Sequence, residues 1–351
     1  MALEKLEGAM TALVTPLSYS DTRAVHVDYD GLEKLVHFQV ENGIHGVVAL
    51  GTTGQGPLLA DIDVDLWKEV ARLVEDGVSE RVPLVIGCGS VPTIKAVKLT
   101  HYASELDVDA TLHDTGYKIK TSPQGFFEYF RTVAGVNPNM QVIVYDVRSR
   151  GHPPIKPETR IRIAKEVPNA RIIKDASGSE EDWVETRRLA DEAGFDEHTY
   201  KILSGDDPAT QRMWTDPRIR ARGVISVWSN MLPHVYAMQN ELLDKGRYEE
   251  AGRIDEDLSG INGIVGMTVN GQNYSNPQVV QHALYMMGMI KQPWLVHPLL
   301  VLPKEGRDEL GRRLAKLYAK RSDWFGPIES AFGVRTTDKL GTYLKQVETT
   351  L

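Results

Sequence analysis

Apolar and polar positions along this chain fall into blocks of two kinds. Short, continuously apolar runs bounded by turn residues recur at 10–17, 45–50, 83–87, 110–113, 141–145, 171–174, 200–203 and 223–227. Between them stand amphipathic stretches of helical period at 30–42, 64–74, 94–106, 125–136, 157–167 and 180–192. In the first of these, Leu32, Leu35, Val36 and Val40 form one apolar stripe. The strand starts run from residue 10 to residue 223, seven intervals averaging about 30 residues, which is the length of one βα unit. Strands apolar on both faces belong in a parallel sheet covered on both sides. Eight such repeats close a barrel, so the pattern predicts an α/β fold, a (β/α)8 TIM barrel. An open, doubly wound sheet would more often carry a glycine fingerprint after its first strand. This chain reads VTPLSYSD there, and its GCGSVP segment breaks the G-x-G-x-x-G pattern.

Past residue 228 the strand signals stop. The rest reads as helix at 232–245, 248–265, 277–289 and 305–319, with no low-complexity linker. Residues 1–228 are therefore expected to form the barrel up to its eighth strand. Residues 229–351 should supply its last helix and a C-terminal helical extension packed on it. For residues 320–351 two roles stay open, capping the barrel or adding to an interface.

Composition narrows the function. At 351 residues, 42% hydrophobic and 25% charged, the chain can bury a large core and is not disordered. No apolar run approaches the roughly 20 residues of a bilayer span, and the opening MALEKLEGAM lacks the apolar stretch of a secretory signal. With 48 acidic against 40 basic residues, a net charge of −8 and no basic block, a nucleic-acid partner is not expected. The single cysteine, Cys88, excludes an intramolecular disulfide framework and a cysteine-cluster metal site, and within VPLVIGCGS it reads as a buried, inert thiol. The ten histidines show no H-x-H or H-E-x-x-H spacing, so no metal site is expected. The expected setting is the cytoplasm, with small-molecule partners.

In a parallel barrel the reacting groups come from the C-terminal ends of strands. Polar residues at those ends are Thr52, Thr53, Tyr117, Lys118, Tyr145, Lys174, Asp206, Asp207 and Ser226. Lys174 closes the apolar pair Ile172–Ile173, which aims its ammonium into the barrel mouth. Burial lowers an amine's pKa, and a free amine in a partly dry pocket forms a Schiff base with a ketone or aldehyde. The alternative is a buried lysine paired with Asp175 or another carboxylate. The Tyr145 hydroxyl could relay protons with Thr52, or belong to a core aromatic. The turn Gly51-Thr52-Thr53-Gly54 presents hydroxyls and N–H groups suited to a carboxylate. Asp206 and Asp207, followed by Pro208, read as a helix N-terminus capped by Asp.

Taken together these segments resemble the dihydrodipicolinate synthase/N-acetylneuraminate lyase family of Schiff-base pyruvate aldolases, over about residues 8–325. GAMTALVTPL is similar to the family's opening strand and ALGTTGQGPLL to its G-T-T-G-E loop. VYDVRSR is similar to its Y-N-x-P-S-R segment and IIKDASG to its I-K-E-A-T-G segment. LSGDD and GVISV are similar to its later strand ends. The resemblance implies that Lys174 is the Schiff-base lysine, Tyr145 the proton-relaying tyrosine and Thr52 its partner. By the same resemblance Thr53 and Gly51 bind the keto-acid carboxylate, Arg150 meets the second substrate's carboxylate, and the backbone at Gly205 and Ile225 lines the pocket. It implies no metal or organic cofactor, since the protonated Schiff base is the electron sink, and a homo-oligomer, dimer or tetramer. The resemblance implies 4-hydroxy-tetrahydrodipicolinate synthase activity, with a catabolic 2-keto-3-deoxy sugar acid lyase or dehydratase as the alternative. A non-catalytic ligand-binding barrel is the reading from another class.

Departures from the family pattern concentrate at the site. In GYKIKTSPQG, Tyr117 takes the place of the first residue of a Tyr-Tyr pair and Lys118 that of the second, which completes the family's relay. Gln55 replaces Glu, Asp146 replaces Asn and Arg148 replaces Pro. Arg148, Arg150 and His152 then form a basic cluster expected to read an acidic or polyhydroxylated second substrate.

Overall fold

The computed structural model describes residues 2–19, 24–114, 116 and 119–348. Eight parallel strands close a barrel in chain order: β1 (Gly8–Ala12), β2 (Gly46–Ala49), β3 (Leu84–Gly87), β4 (Ala110–His113), β5 (Gln141–Asp146), β6 (Ile172–Asp175), β7 (Lys201–Ser204) and β8 (Gly223–Ser226). The ring is sealed where β1 pairs on one side with β8, Met10 against Ile225, and on the other with β2, Met10 against Gly46. Each apolar run of the sequence lies on one of these strands. The first is shorter than its run, ending at Ala12, because residues 17–19 turn back to pair with 25–27 as an antiparallel hairpin.

Alternation along each strand divides the apolar residues between two layers. Ile143, Ile172, Leu203 and Ile225 point inward and pack with Met10, Val48 and Leu112, so the barrel is filled rather than hollow. Their neighbours Val144, Ile173 and Ile202 point outward, beneath the helices. Those helices are α1 (Tyr29–Glu41), α2 (Val64–Val78), α3 (Thr93–Ala103), α4 (Pro123–Ala134), α5 (Pro157–Glu166), α6 (Glu180–Glu192), α7 (Thr210–Thr215) and α8 (Pro233–Asp244). Side-chain caps fix several starts. Asp28 accepts from Gly31 N at 3.2 Å, Ser122 from Gly125 N at 3.1 Å and Ser179 from Asp182 N at 3.3 Å.

The remainder forms α9 (Tyr248–Asn262), α10 (Asn276–Met286), α11 (Lys304–Lys320), α12 (Gly326–Phe332) and α13 (Thr336–Glu348). Strand signals do not stop at residue 228. Met267–Val269 and Gln272–Tyr274 form an antiparallel ribbon across a turn at Asn270 (φ 51°) and Gly271 (φ 75°). Asn-Gly is the pair that tolerates left-handed backbone at both turn positions; the helix expected to run on to 265 ends earlier, at Asn262, with Gly263 as its C-cap. The segment past residue 320 packs on the flank of the barrel. Trp324, Phe325, Ile328 and Leu340 are buried in the same apolar cluster as Leu35 of α1 and Trp67 of α2. Phe332 meets Phe38 edge-on at 5.2 Å between centroids.

Among the described residues no helix is long and apolar enough to cross a membrane. Because Phe325 is fully buried in the cluster shared with the barrel helices, Phe325→Ala should cost about 3–5 kcal/mol in urea denaturation. A loss below about 1 kcal/mol would mean that these helices only rest on the barrel.

Candidate active site

Parity decides which side chains enter the barrel mouth. Tyr145 and Lys174 are paired residues at the ends of β5 and β6, and both belong to the inward set. Each is followed by an aspartate, Asp146 and Asp175, that alternation sends outward. Asp175 therefore does not neutralise Lys174; it is bonded by Arg160 of α5 at 2.7 Å. Among the described residues no salt bridge involves Lys174. Its Nζ stands 4.4 Å from the centroid of the Tyr145 ring, and only 6% of the residue is exposed.

A cavity of about 290 Å³ opens above this pair. The loop after β2 supplies Gly51, Thr52 and Thr53. Its tight path needs glycine at 56, where a Cβ would stand 1.8 Å from the Leu50 carbonyl oxygen. At Gly51 such a Cβ would have nothing nearer than 3.9 Å, so that stretch borders open space. Gln55, left-handed at φ 58°, turns its side chain away and accepts from Val296 N at 2.7 Å, which ties the loop to the C-terminal extension. Gly205, Asp206 and Asp207 enter after β7 and Val227 after β8. A Cβ at Gly205 would lie 2.7 Å from that of Ala176, so only glycine lets β7 end this close to β6.

The electrostatics follow from this burial. Burial lowers the Lys174 pKa to about 8; Asp206 opposes that shift and Arg150 adds to it. Burial likewise pushes the Tyr145 phenol well above its ordinary range, against the pull of the Arg150 guanidinium, so the hydroxyl stays protonated and able to donate. Burial raises the Asp206 carboxyl too, opposed by Lys174 and Arg150. Asp207 rises to about 6 for the same reason, opposed by the Ser226 hydroxyl and by its bonds from Val227 N (3.0 Å) and Trp228 N (3.2 Å). One cavity thus gathers a depressed amine, a protonated phenol, an arginine and two carboxyl groups.

Several expectations change. Asp206 and Asp207 do not cap a helix with their side chains. Pro208 does open a short 3-10 turn, but Asp207 ties the loops after β7 and β8 together, and Asp206 faces the cavity. The side chain of Ile225 packs in the interior below the cavity, and Val227 is the residue after β8 that lines the wall. The basic cluster disperses as well, since the turn Arg148–Arg150 fans its side chains apart. Arg148 pairs with Asp146 (3.2 Å) and Asp182, and His152 lies 3.6 Å from Asp114. Only Arg150 of the three reaches the cavity. Tyr117 and Lys118 lie outside the described residues. Cys88 is buried, with its thiol pushed up by burial, and no cluster of three or more potential metal ligands occurs among the described residues.

The roof is the part that sequence reasoning missed. Val265, Gly266, Ser275 and Asn276, all from the C-terminal extension, close over the barrel mouth. Asn276 sits between two site residues, accepting from Arg150 Nη2 and donating through Nδ2 to Thr53 Oγ1 at 3.1 Å. The local signal was legible: Ser275 and Gln278 form a capping box, with Pro277 in the first turn of α10. That pattern marks a helix start, and nothing in it says that the start overhangs the barrel.

Comparison with known proteins agrees with this fold. The sequence profile of the dihydrodipicolinate synthetase family matches residues 5–317. A 4-hydroxy-tetrahydrodipicolinate synthase of Sulfurihydrogenibium sp. (strain YO3AOP1) is 31% identical over 309 residues, covering 88% of this chain and 97% of the relative. That of Cellvibrio japonicus (strain Ueda107) is 35% identical over 288 residues, 82% of this chain and 90% of the relative. Among solved structures, the 4-hydroxy-tetrahydrodipicolinate synthase of Methylacidiphilum fumariolicum SolV superposes with a TM-score of 0.80 at 28% identity, covering 93% of this chain and 99% of that one. A dihydrodipicolinate synthase variant described as monomeric gives 0.79 at 26%, covering 90% and 98%. The chain belongs to the dihydrodipicolinate synthetase family, a family of Schiff-base-forming lyases.

Proposed function

We propose that this protein is a 4-hydroxy-tetrahydrodipicolinate synthase that condenses pyruvate with aspartate semialdehyde through a Schiff base on Lys174. The observation that carries this reading is a buried lysine with no ion pair among the described residues, in van der Waals reach of a protonated tyrosine in one cavity. With a pKa of about 8, about a tenth of Lys174 is free amine at pH 7, against about one part in three thousand for an ordinary lysine. The amine's lone pair attacks the keto carbon, Tyr145 and Thr52 pass protons to the departing hydroxyl, and water leaves as the protonated imine forms. Loss of a methyl proton gives the enamine, whose carbon attacks the aldehyde. Thr53 and the turn at Gly51 hold the keto-acid carboxylate, and Gly205 lines the cavity beside Lys174.

Charge in the cavity supports the choice of second substrate. Arg150 and Asp206 are of opposite sign and line the same space. They fit an aldehyde that carries both a carboxylate and an ammonium, as an amino-acid semialdehyde does. A sugar-acid substrate is the second reading, favoured by the hydroxyl and amide of Ser275 and Asn276 in the roof. We further read the chain as a homo-oligomer. Support comes from the exposed aliphatics Ile62 and Ile94, on segments tied by Lys95 Nζ to the Ala60 carbonyl at 2.9 Å. Sedimentation at a single monomer mass would overturn that point.

Borohydride reduction in the presence of pyruvate should leave an adduct visible by intact mass, and Lys174→Ala should abolish it. No adduct with the native chain rejects the Schiff base, and leaves the non-catalytic barrel. Turnover with pyruvate and aspartate semialdehyde is expected. Its absence, with cleavage of 2-keto-3-deoxy sugar acids instead, selects the second reading.

The acid limb of trapping against pH should have its midpoint near the Lys174 pKa. Asp206 favours the ammonium, so Asp206→Asn should move the midpoint to lower pH. Arg150 disfavours it, so Arg150→Met should move it to higher pH. Shifts in the same direction would refute this assignment of the field at Lys174.

A further inference from the structure

Behind the cavity, on the outer face of the same two strands, lies a buried charge cluster that the proposed chemistry does not use. Arg160 of α5 is wholly enclosed, and each part of its guanidinium is taken. Nη2 reaches Asp146 Oδ2 at 2.5 Å, Nη1 reaches Asp175 Oδ2 at 2.7 Å and Thr186 Oγ1 at 2.9 Å, and Nε donates to the Ile155 carbonyl at 2.7 Å. Asp175 is fixed further by accepting from Ser177 N at 2.9 Å. Asp146 stands where the family pattern has asparagine, so here Arg160 meets two carboxylates rather than one. A guanidinium this deep is stable only with its charge and donors matched, and its fork is rigid enough to set the distance between the groups it bridges.

The register gives this cluster a consequence for the site. Asp146 and Asp175 are paired across β5 and β6, directly after the pair Tyr145 and Lys174. Fixing the outer pair therefore fixes the inner pair one residue away, because the peptide between them leaves little freedom. We infer that Arg160 is a positioning residue that bolts the ends of β5 and β6 together from behind and so sets the separation of Tyr145 and Lys174. The cluster touches no substrate. Its effect runs through the backbone, where a displacement of about 1 Å can cost two orders of magnitude in rate.

The inference rests on the reading of Lys174 as the Schiff-base lysine, so the native chain must first trap pyruvate; if it does not, that reading has failed and not this one. Two rates are then measured per folded molecule: borohydride trapping, and exchange of the pyruvate methyl protons in D2O by NMR, which needs only the enamine. Arg160→Lys keeps the cation but cannot bridge both carboxylates. It should slow both by about tenfold or more, through kcat, with KM for pyruvate within about threefold and the pH midpoint unmoved. Arg187→Lys is the control, since Arg187 is equally enclosed but donates to the Tyr200 and Ile219 carbonyls, away from this seam. It should lower the melting temperature and leave both rates within about twofold. Thr186→Val removes one of the four partners without altering charge and should slow exchange about threefold; it decides the matter if Arg160→Lys does not fold. The inference is overturned if Arg160→Lys and Thr186→Val react at native rates, if the loss falls on KM alone, or if Arg187→Lys slows the reaction as much.

Discussion

The site depends on one geometric constraint, the two-residue alternation of side chains in a closed parallel barrel. Lys174 and Asp175 are adjacent in sequence, and in a helix or a loop they could shield one another. In β6 they are sent to opposite faces, the amine into the barrel mouth and the carboxylate toward α5. The same parity divides Tyr145 from Asp146 on β5. Two charges that sequence proximity would pair are thus separated by the sheet, and Lys174 is left with burial as the largest influence on its pKa.

Burial would be destructive if nothing opposed it, because an isolated ammonium in an apolar space is costly. Asp206 supplies the opposition. It faces Lys174 without pairing with it, and its own carboxyl is raised by burial. Arg150 acts in the reverse sense on the lysine and draws the phenol of Tyr145 down, though less than burial lifts it. The result is a balance in which the amine and phenol are both available at neutral pH. These groups come from the ends of three successive strands, Tyr145 and Arg150 from β5, Lys174 from β6 and Asp206 from β7, which is what a barrel brings together and a single motif cannot.

The extension does more than add bulk. Its last helices settle against α1 and α2 through Phe325, Ile328 and Phe332, while its ribbon and the start of α10 reach over the mouth. Asn276 bridges Arg150 and Thr53, the two groups assigned to the two substrate carboxylates, so the walls of the cavity belong to one hydrogen-bonded unit. Gln55 makes a second tie between the loop after β2 and the extension. The glutamate-to-glutamine change in that loop therefore has a local structural setting: its amide oxygen receives a backbone N–H from residue 296.

Much of this was legible in the order of residues. Continuous apolar runs about 30 residues apart have one economical arrangement, so the barrel and its eight strands followed from periodicity alone. Lys174, Tyr145 and the Gly51–Gly54 turn could be placed at strand ends by the same means, and the family resemblance gave them expected roles. What the sequence could not express was direction and reach. Local pattern holds no information on contacts between residues more than a hundred positions apart, so Asn276 over Thr53 was invisible. The basic residues at 148–152 looked like one cluster because spacing does not reveal that Arg148 and His152 have carboxylate partners on other elements. Pro208 after two aspartates suggested a cap, yet the loop after β8 offered Asp207 two N–H donors, and those long-range bonds took precedence. The sequence determined the barrel, because hydrophobic period is local; the tertiary structure alone decided which charges share the cavity, because that depends on which way each strand turns and what the chain's far end lays across it.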